Sequence, residues 1–403
     1  MRVAMIGWEF PPFMSGGLAT HCYFLTRELS KLGVEIDFYM PSTPYKIQSN
    51  WMNIIPVDYS SFDKFNLKVY GGYYLRKVNQ RRIQTQIQIQ ENLDFLGKIN
   101  KFNELVSELV ALNNELRTYN LIHGHDWITA KGSISAKNKT HLKYIMTVHS
   151  TEYDRTANLS PWQWILDIER QGIENADGII AVSQLTKKEL KEKYKAKAKI
   201  KVIYNGIEEE LFKESAKKEL LGFDGKNKIV LYNGRLSIMK GPEFFLRAAK
   251  KVLEKDENVY FIISGTGDML EKLIEMTYDL GIADHVKFLG FTPPEKTPFL
   301  YAAADVYVLP SVVEPFGITV LEAIASNTPV ITSKTSGVSE VIKNCLRVDF
   351  WDEDEMAKQI LSVLSFPSLK EELKENMRSE LKKLSWRKVA EKTLEFYKEV
   401  VEK

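Results

Sequence analysis

Residues 311–323 read Ser-Val-Val-Glu-Pro-Phe-Gly-Ile-Thr-Val-Leu-Glu-Ala, and this stretch decides the fold class. The apolar run at 306–310 directly before it predicts a buried strand, and the residues from Ile318 onward predict a helix. The Pro-Phe-Gly between them is typical of a turn. A strand, a tight turn and a helix in succession form the repeating unit of a parallel α/β sheet.

The same turn predicts a site for a diphosphate. The first backbone N–H groups of a helix have no acceptor within it, so Gly317, Ile318 and Thr319 offer a seat for phosphate oxygens. Glu314 lies in the turn, where its carboxylate can accept sugar hydroxyls, and Glu322, one helical turn later, can reach a ribose. Taken alone, the pair has a second explanation, in which Glu314 caps the helix and Glu322 lies on its solvated surface.

Short apolar, β-branched runs alternate with helical segments along the whole chain, as in βαβ units. The runs lie at residues 3–7, 35–40, 121–124, 144–148, 178–182, 199–204, 228–233, 259–264, 286–289, 306–310 and 329–333. The predicted fold class is therefore α/β, with two doubly wound Rossmann-like domains. The turn dipeptide Asn205-Gly206 marks the join, so we expect an N-terminal domain at 1–205 and a C-terminal domain at 206–385.

The composition argues against several classes of protein. With 55 Lys and Arg against 53 Asp and Glu, the 403-residue chain is nearly neutral, which argues against a nucleic-acid surface. Cys22 and Cys345 are too few for a disulfide scaffold, so we expect a reducing cytoplasm. No run of about 18 apolar residues predicts a transmembrane helix. The apolar run after Met1 is better explained as a first strand than as a signal peptide.

A basic motif lies between the strand at 228–233 and the next helix. Gly234-Arg235 is followed there by Lys240-Gly241 and a proline. Two permanent cations at the carboxyl end of a parallel strand suit a departing phosphate, which Arg235 can bind in a fork and Lys240 as a point charge. A solvated basic loop is the alternative explanation.

Two further turns contain closely spaced glycines. Gly16 and Gly17 follow the first strand and permit close approach of a ligand and positive φ angles. This turn does not have the G-x-G-x-x-G spacing, so no dinucleotide cofactor is expected, and no other cofactor is indicated. The motif Gly265-Thr266-Gly267 lacks the third glycine and predicts a tight strand-to-helix turn.

Polar side chains end two further strands of the first half. One strand ends in His-Gly-His-Asp-Trp at 123–127 and the next in His149. We expect Asp126 and His149 to face a sugar. His123, His125 and His149 form an alternative set of metal ligands, but no carboxylate completes it, so no metal is predicted.

Three further segments carry signals of helices. Residues 78–117 are polar and Gln-rich with apolar residues at helical spacing, which predicts a long helix or helical pair on the first domain, with coiled-coil partner binding as the alternative. Residues 386–401 carry an apolar stripe, so we expect 386–403 to pack back on the first domain. The acidic run 352–354 precedes a helix, which favours capping over metal binding.

Together these motifs resemble the retaining glycosyltransferases that have two Rossmann-like domains facing a central cleft, the B-type fold. The resemblance covers nearly the whole chain and includes Val182-Ser183 and Ser385-Trp386 besides the motifs above. The sequence looks similar to glycosyltransferase family 4 and to the glycogen and starch synthases, of an archaeal type.

The resemblance implies a role for each motif. Arg235 and Lys240 would bind the diphosphate of a nucleotide-sugar donor, Glu314 the transferred sugar and Glu322 the ribose. It also implies a hexosyltransferase that retains the anomeric configuration and needs no metal, because Arg, Lys and helix N-termini replace the ion.

On the other domain, the resemblance implies that Asp126 and His149 line the acceptor side of the reacting carbon. Gly16 and Gly17 would lie against the phosphates. The last helix would cross back to this domain.

Two departures separate the chain from the bacterial and plant glycogen synthases. Met14 stands where those enzymes have a lysine, and Glu322 stands where they usually have glutamine. The motifs at 8–12 and 123–127 nevertheless look glycogen-synthase-like. Elongation of an α-1,4-glucan from UDP- or ADP-glucose is therefore the leading hypothesis. The alternative is a lipid or small-molecule acceptor, and a nucleotide-sugar epimerase or a non-catalytic scaffold fits less well.

Overall fold

The computed structural model describes residues 1–13, 16–43, 47–58, 83–213 and 218–402, without the side chains of residues 83–94 and 220. The predictions that concern Met14 and residues 78–82 lie outside these ranges. Among the described helices, none is long and apolar enough to cross a membrane.

In the described chain, most strands are followed by a helix. The strands are β1 (Arg2–Ile6), β2 (Glu35–Pro41), β3 (Asn53–Val57), β4 (Leu121–His125), β5 (Lys143–Val148), β6 (Gly178–Ala181), β7 (Lys199–Val202), β8 (Lys228–Asn233), β9 (Val259–Ser264), β10 (Val286–Gly290), β11 (Val306–Leu309), β12 (Val330–Ser333) and β13 (Leu346–Val348). The α-helices are α1 (Gly17–Lys31), α2 (Ile83–Arg117), α3 (Ala130–Thr140), α4 (Glu152–Arg155), α5 (Gln163–Asn175), α6 (Gln184–Glu192), α7 (Pro242–Leu253), α8 (Leu270–Asp279), α9 (Thr297–Ala303), α10 (Ile318–Ala325), α11 (Glu353–Ser365), α12 (Pro367–Leu381) and α13 (Trp386–Val401).

The strands form two sheets in which neighbouring strands are parallel. The first sheet has the order β3-β2-β1-β4-β5-β6-β7, and the second has the order β10-β9-β8-β11-β12-β13. The central strands are buried, as their continuous apolar runs indicate; Val3 and Ile6 of β1, for example, are fully buried. Two parallel sheets with intervening helices confirm the predicted α/β fold class.

All eleven predicted strands are present, with ends shifted by at most two residues. β3 and β13 were not predicted. β3 is an edge strand in which Asn53 and Pro56 are exposed, so it has no continuous apolar run, and proline is tolerated because it lies at an edge. β13 has only three residues, and its central Arg347 is exposed.

Contacts divide the chain into two compact units. The first unit comprises Met1–Tyr153, Ser160–Asn205 and Trp386–Lys403, and the second comprises Asp154–Leu159 and Gly206–Ser385. The predicted bounds had included residues 154–159 in the first domain, whereas their contacts group them with the second unit.

The last helix, α13, packs against α1 within the first unit. Its apolar stripe includes the buried Val389, Phe396 and Tyr397, each of which contributes roughly 1.5–3 kcal/mol relative to an exposed side chain. The helix also lies tightly on β6, since a Cβ atom added to Gly178 would lie 2.8 Å from Phe396. The first sheet is therefore covered in part by residues that follow the second unit in the chain.

Within the polar segment predicted at 78–117, the described residues 83–117 form one helix, α2, rather than a helical pair. Phe102, Val106 and Val110 of its described part are buried. A Cβ atom on Gly132 of α3 would lie 2.6 Å from a Val106 methyl, so the two helices approach closely there. This part of α2 belongs to the core of the first unit.

The acidic run at 352–354 caps a helix, as predicted. Asp352 is the N-cap of α11, and its Oδ1 accepts a hydrogen bond from the backbone N–H of Glu355 at 3.0 Å. Acidic residues in the first turn also suit the positive end of the helix dipole.

Candidate active site

The second sheet has a topological switch point between β8 and β11. These strands are neighbours, and the chain continues from β8 to β9 on one side and from β11 to β12 on the other. Ligands of open parallel sheets bind outside the carboxyl ends of the strands at such a point. Both motifs predicted for the donor, Gly234–Lys240 after β8 and Glu314–Gly317 after β11, lie there.

The loops that follow β8 and β11 are bonded to each other through their backbones. The N–H of Val312 donates to the carbonyl oxygen of Met239 at 2.9 Å. Gly241 has a φ of +62°, and a Cβ atom on it would lie 2.2 Å from the carbonyl oxygen of Pro310. Only glycine fits this close approach, so the two loops pack directly against each other.

Lys240 and Glu314 form an ion pair, which sequence reasoning did not predict. The Nζ atom of Lys240 lies 2.5 Å from Oε2 of Glu314, and Ser311 donates from its hydroxyl to the same oxygen at 3.1 Å. The Glu314 side chain is only 5% exposed, so without a counterion its charge would be costly. Each residue therefore neutralises the other in this structure.

The alternative explanation of Glu314 as a helix cap is wrong. The N-cap of α10 is Gly317, whose φ of +103° lies in the region that favours glycine. Glu314 is instead fixed by its backbone: its N–H donates to Thr335 and its carbonyl accepts from Gly337 at 2.8 Å. Its carboxylate therefore has a defined position beside the loop after β8.

The start of α10 is also held by hydrogen bonds to the second sheet. The hydroxyl groups of Thr319 and of the buried Tyr307 on β11 lie 2.9 Å apart, and the Tyr307 hydroxyl donates to the carbonyl of Asn233. Ile318 and Thr319 are half-buried at the switch point. The first turn of α10 therefore lies beside the carboxyl end of β8, where the N-terminus of a helix can bind a phosphate.

Glu322 is not a solvated surface residue. Its Oε2 accepts a hydrogen bond from the hydroxyl of Tyr301 at 2.9 Å, and Asn233 donates to that hydroxyl at 2.9 Å. Burial raises the pKa of the Glu322 carboxyl to about 7, and the hydrogen bond from Tyr301 opposes the rise. Sequence reasoning missed Tyr301 because it lies on α9, in a segment without a motif.

Arg235 follows directly on Gly234 at the end of β8 and is half-buried. Its backbone carbonyl accepts a hydrogen bond from Tyr232 at 2.9 Å, which fixes the loop. Burial raises the pKa of the nearby Asp268 carboxyl, and the charge of Arg235 opposes this rise. With Lys240 paired to a buried carboxylate, the description of this segment as a solvated basic loop is wrong.

The tight turn predicted after β9 is confirmed. Gly265 has a φ of +134°, and a Cβ atom on it would lie 1.9 Å from the carbonyl oxygen of Gly234. The turn packs against the loop after β8 and helps to position Arg235.

The first sheet has its own switch point, between β1 and β4. β5 lies next to β4, so the predicted Asp126 and His149 come together at the carboxyl ends of these two strands. Oδ1 of Asp126 accepts a hydrogen bond from the backbone N–H of His149 at 2.6 Å. Asp126 is 1% exposed, and through this hydrogen bond its carboxylate positions the backbone of His149.

The alternative set of metal ligands, His123, His125 and His149, differs in one member from the group that the structure brings together. The ring nitrogens of His123 both have hydroxyl partners, Tyr397 at 2.6 Å and Thr147 at 2.7 Å. Among the described residues, the group that could hold a metal consists of His125, His149 and His21 of α1. Sequence reasoning did not include His21, because it lies on a helix 104 or more residues before its partners. Its place on the buried face of α1 is the one signal that could have indicated it.

The three histidines of this group are uncharged. Burial lowers the pKa of His149 to about 3, and it lowers the pKa of His21 well below the usual value. Burial also lowers the pKa of His125, and neighbouring histidines add to the shift. None of them is therefore a general acid near neutral pH.

The turn that contains Gly16 differs from the sequence-based expectation. Gly16 is the N-cap of α1 with φ −179°, an extended conformation that any residue adopts. A positive φ angle therefore does not explain why a glycine stands at position 16. Their predicted place against the phosphates remains a prediction.

Two family models match the chain. The model described as glycosyl transferases group 1 matches residues 213–380, and the model described as glycosyltransferase family 4 matches residues 15–211. Together they span most of the chain and divide it close to the join between its two units.

Individual proteins that are similar to the chain are also glycosyltransferases. The chain is 32% identical to an uncharacterized glycosyltransferase of Methanocaldococcus jannaschii over 100% of its own length and 99% of the relative. It is 28% identical to the D-inositol 3-phosphate glycosyltransferase of Corynebacterium diphtheriae, over 84% of this chain and 80% of that one. Its fold is similar to that of Anabaena HepE in complex with UDP-glucose, with a TM-score of 0.71, 18% identity and coverage of 99% and 100%.

Proposed function

Since this chain belongs to the group 1 and family 4 glycosyltransferases, we propose that it transfers a hexose, with glucose as the first candidate, from a nucleotide sugar to an acceptor. The proposal extends to retention of the anomeric configuration and to transfer without a metal ion. The observation that carries it is the Lys240–Glu314 pair at the switch point beside the start of α10.

The pair supports donor binding because a diphosphate sugar complements both partners. The phosphate oxygens attract Lys240 and Arg235, and they also suit the N–H groups at the start of α10. Glu314 then accepts hydrogen bonds from hydroxyls of the transferred sugar. Binding of the donor thus replaces one ion pair by a set of charge-assisted hydrogen bonds, so that no buried charge is left without a partner.

The proposed transfer exchanges one bond at the anomeric carbon for another. The acceptor oxygen forms a bond to the anomeric carbon, the bond from that carbon to the phosphate oxygen breaks, and the leaving phosphate takes the acceptor's proton. Arg235, Lys240 and the helix N-terminus stabilise the charge that develops on the phosphate, an effect typically worth several kcal/mol in a dry site. The cations take the role that a metal ion has in other transferases.

On the acceptor side, the proposal assigns the reacting region to His149 and Asp126. Asp126 fixes the backbone of His149, and the uncharged imidazole offers hydrogen bonds without adding a positive charge beside the anomeric carbon. Gly16 and Gly17 are assigned to the phosphates. Glu322, beside Tyr301, is assigned to the ribose.

For the acceptor, an α-1,4-glucan extended from UDP- or ADP-glucose remains the first candidate. The complex of HepE with UDP-glucose supports UDP-glucose as a donor. A lipid or small-molecule acceptor is the second candidate, and the name of the D-inositol 3-phosphate glycosyltransferase relative favours the small molecule.

Labelled UDP-glucose and ADP-glucose, each incubated with the protein and either glycogen or small acceptors such as D-inositol 3-phosphate, test these proposals. Growth of labelled glycogen supports the glucan acceptor, and a labelled small product replaces it by the second candidate. No turnover with any donor would favour a non-catalytic scaffold. A chelator should not lower the rate, and loss of activity on chelation would overturn the metal-free mechanism.

A further inference from the structure

The histidine group of the first unit has an internal arrangement that hydrogen bonding alone does not explain. Nδ1 of His21 lies 2.7 Å from Oδ1 of Asn205, and Nδ1 of His125 lies 3.1 Å from Nε2 of His149. Within the described part of the chain, the buried Nε2 atoms of His21 and His125 have no hydrogen-bond partner. A buried polar atom without a partner costs about 1–3 kcal/mol, so two in one group indicate a missing ligand.

The tautomer of His21 shows what kind of ligand is missing. The amide oxygen of Asn205 can only accept, so Nδ1 of His21 carries the proton and its Nε2 presents a lone pair. Metal-binding histidines are oriented in this way, with the other ring nitrogen donating to an oxygen acceptor. We propose that His21, His125 and His149 bind one divalent ion of the zinc class.

The spacing of the three rings fits such an ion. One ring nitrogen from each residue lies within 4.8 Å of the others, and the ring centroids are 4.5, 5.4 and 5.6 Å apart. Three imidazoles on a tetrahedral ion at about 2.0–2.1 Å have centroids roughly 5 Å apart. The rings therefore need small adjustments rather than a rearrangement.

The surroundings also suit a cation. The carboxylate of Asp126, 1% exposed, follows His125 in sequence and accepts the N–H of His149, which places a negative charge beside the group. The ring of Trp386 packs edge-on against His21, with ring centroids 5.5 Å apart. Three uncharged imidazoles without a thiolate select zinc, copper or nickel over magnesium or calcium.

Three protein ligands leave the fourth position of a tetrahedral ion to water or a small ligand. Because His149 is the residue assigned to the acceptor side, the ion fixes its imidazole and withdraws it from the acceptor. This consequence rests on the proposed function, whereas binding of the ion does not. We expect zinc to lower the transfer rate and a chelator to restore it.

Binding is tested on the full chain after removal of metals, without donor or acceptor. Titration with Co²⁺ should give one equivalent of bound ion with the intense visible absorption of tetrahedral cobalt, and Zn²⁺ should displace it. His21→Ala should lower the affinity at least 100-fold, and Asn205→Ala should lower it about 10–100-fold, because Asn205 orients a ligand. His141→Asn is the matched control, since His141 is exposed, lies outside the group and has a φ of +58° that asparagine tolerates.

The proposal is overturned if the wild-type chain binds no stoichiometric ion, or if folded His21→Ala binds it as tightly as the wild type. Should His21→Ala fail to fold, X-ray absorption of the zinc-loaded wild type decides instead. It should show imidazole nitrogens, and a sulfur ligand from Cys22 would overturn the assignment. Turnover without zinc binding would refute the site alone, and zinc binding without turnover would refute only the proposed function.

Discussion

Replacement of Glu322 by glutamine tests the surroundings of this carboxyl group. Burial raises the pKa of Glu322 to about 7 from the usual 4.5, against the opposing effect of the Tyr301 hydroxyl. A carboxyl group whose pKa is raised on folding holds its proton more tightly in the folded chain. It therefore reduces the free energy of unfolding as the pH rises above the pKa of the group in the unfolded chain. The reduction reaches its full size above the pKa of the group in the folded chain.

The magnitude follows from the shift. At about 1.4 kcal/mol per pKa unit, the rise from 4.5 to about 7 corresponds to roughly 3 kcal/mol. Glutamine cannot ionise, yet its amide oxygen can still accept the hydrogen bond from Tyr301. We expect Glu322→Gln to exceed the wild type in free energy of unfolding by up to about 3 kcal/mol at pH 8, with a difference near zero at pH 4.5.

Donor binding, in contrast to stability, should weaken in Glu322→Gln. A carboxylate can accept both ribose hydroxyls, whereas an amide offers only one accepting oxygen. Loss of one hydrogen bond to a charged group costs about 1.5–3 kcal/mol, so the Michaelis constant for the donor should rise about tenfold or more at pH 8. The maximal rate should change less.

Urea unfolding of both proteins at several pH values between 4.5 and 8, together with donor titrations, measures these effects. Glu372→Gln is the matched control, because Glu372 is an exposed residue of α12. Parallel stability curves for the wild type and Glu322→Gln would refute the raised pKa. An unchanged Michaelis constant for the donor would refute the contact with the ribose.

Three further changes test the geometry of the two sites. Lys240→Ala should lower the turnover number by about 10²–10³, because it removes charge stabilisation of the leaving phosphate, whereas Lys250→Ala on α7 should not. Gly241→Ala should lower the free energy of unfolding by about 2 kcal/mol or more, because alanine is strained at positive φ and meets backbone. Asp126→Ala should lower the turnover number, since His149 loses its N–H acceptor, and Asp126→Asn should restore much of it.

Steady-state kinetics with saturating donor and thermal or urea unfolding measure these three outcomes. Activity of Lys240→Ala within a few-fold of the wild type contradicts the phosphate assignment. Wild-type stability of Gly241→Ala contradicts the close contact between the two loops. Equal loss in the alanine and asparagine variants at Asp126 would show that its charge, and not its hydrogen bond, matters.

Much of the fold could be predicted because its signals are local. The buried parallel strands are continuous apolar runs, which is why their positions were predicted to within two residues. β3 and β13 were not predicted, because each is an edge strand, which is half solvated and needs no continuous apolar run.

The site could be predicted only in part. The predicted residues Lys240 and Glu314 lie together at the switch point, yet their ion pair joins residues 74 positions apart that have no common motif. Tyr301 and His21 were missed for the same reason, because each acts through a partner on a different element. Sequence spacing indicates which strand ends meet, but it does not indicate which side chain from a neighbouring helix reaches them.

The position of α13 has a consequence for synthesis of the chain. Tyr397 of this helix bonds to His123, and Phe396 lies against Gly178, so the first unit depends on residues that leave the ribosome after the whole second unit. During translation the surface of α1 and β6 that α13 covers stays open to water while residues 206–385 are made. We expect the nascent first unit to be sensitive to proteases and chaperone-bound over that interval, and a fragment of residues 1–205 to aggregate when it is expressed alone.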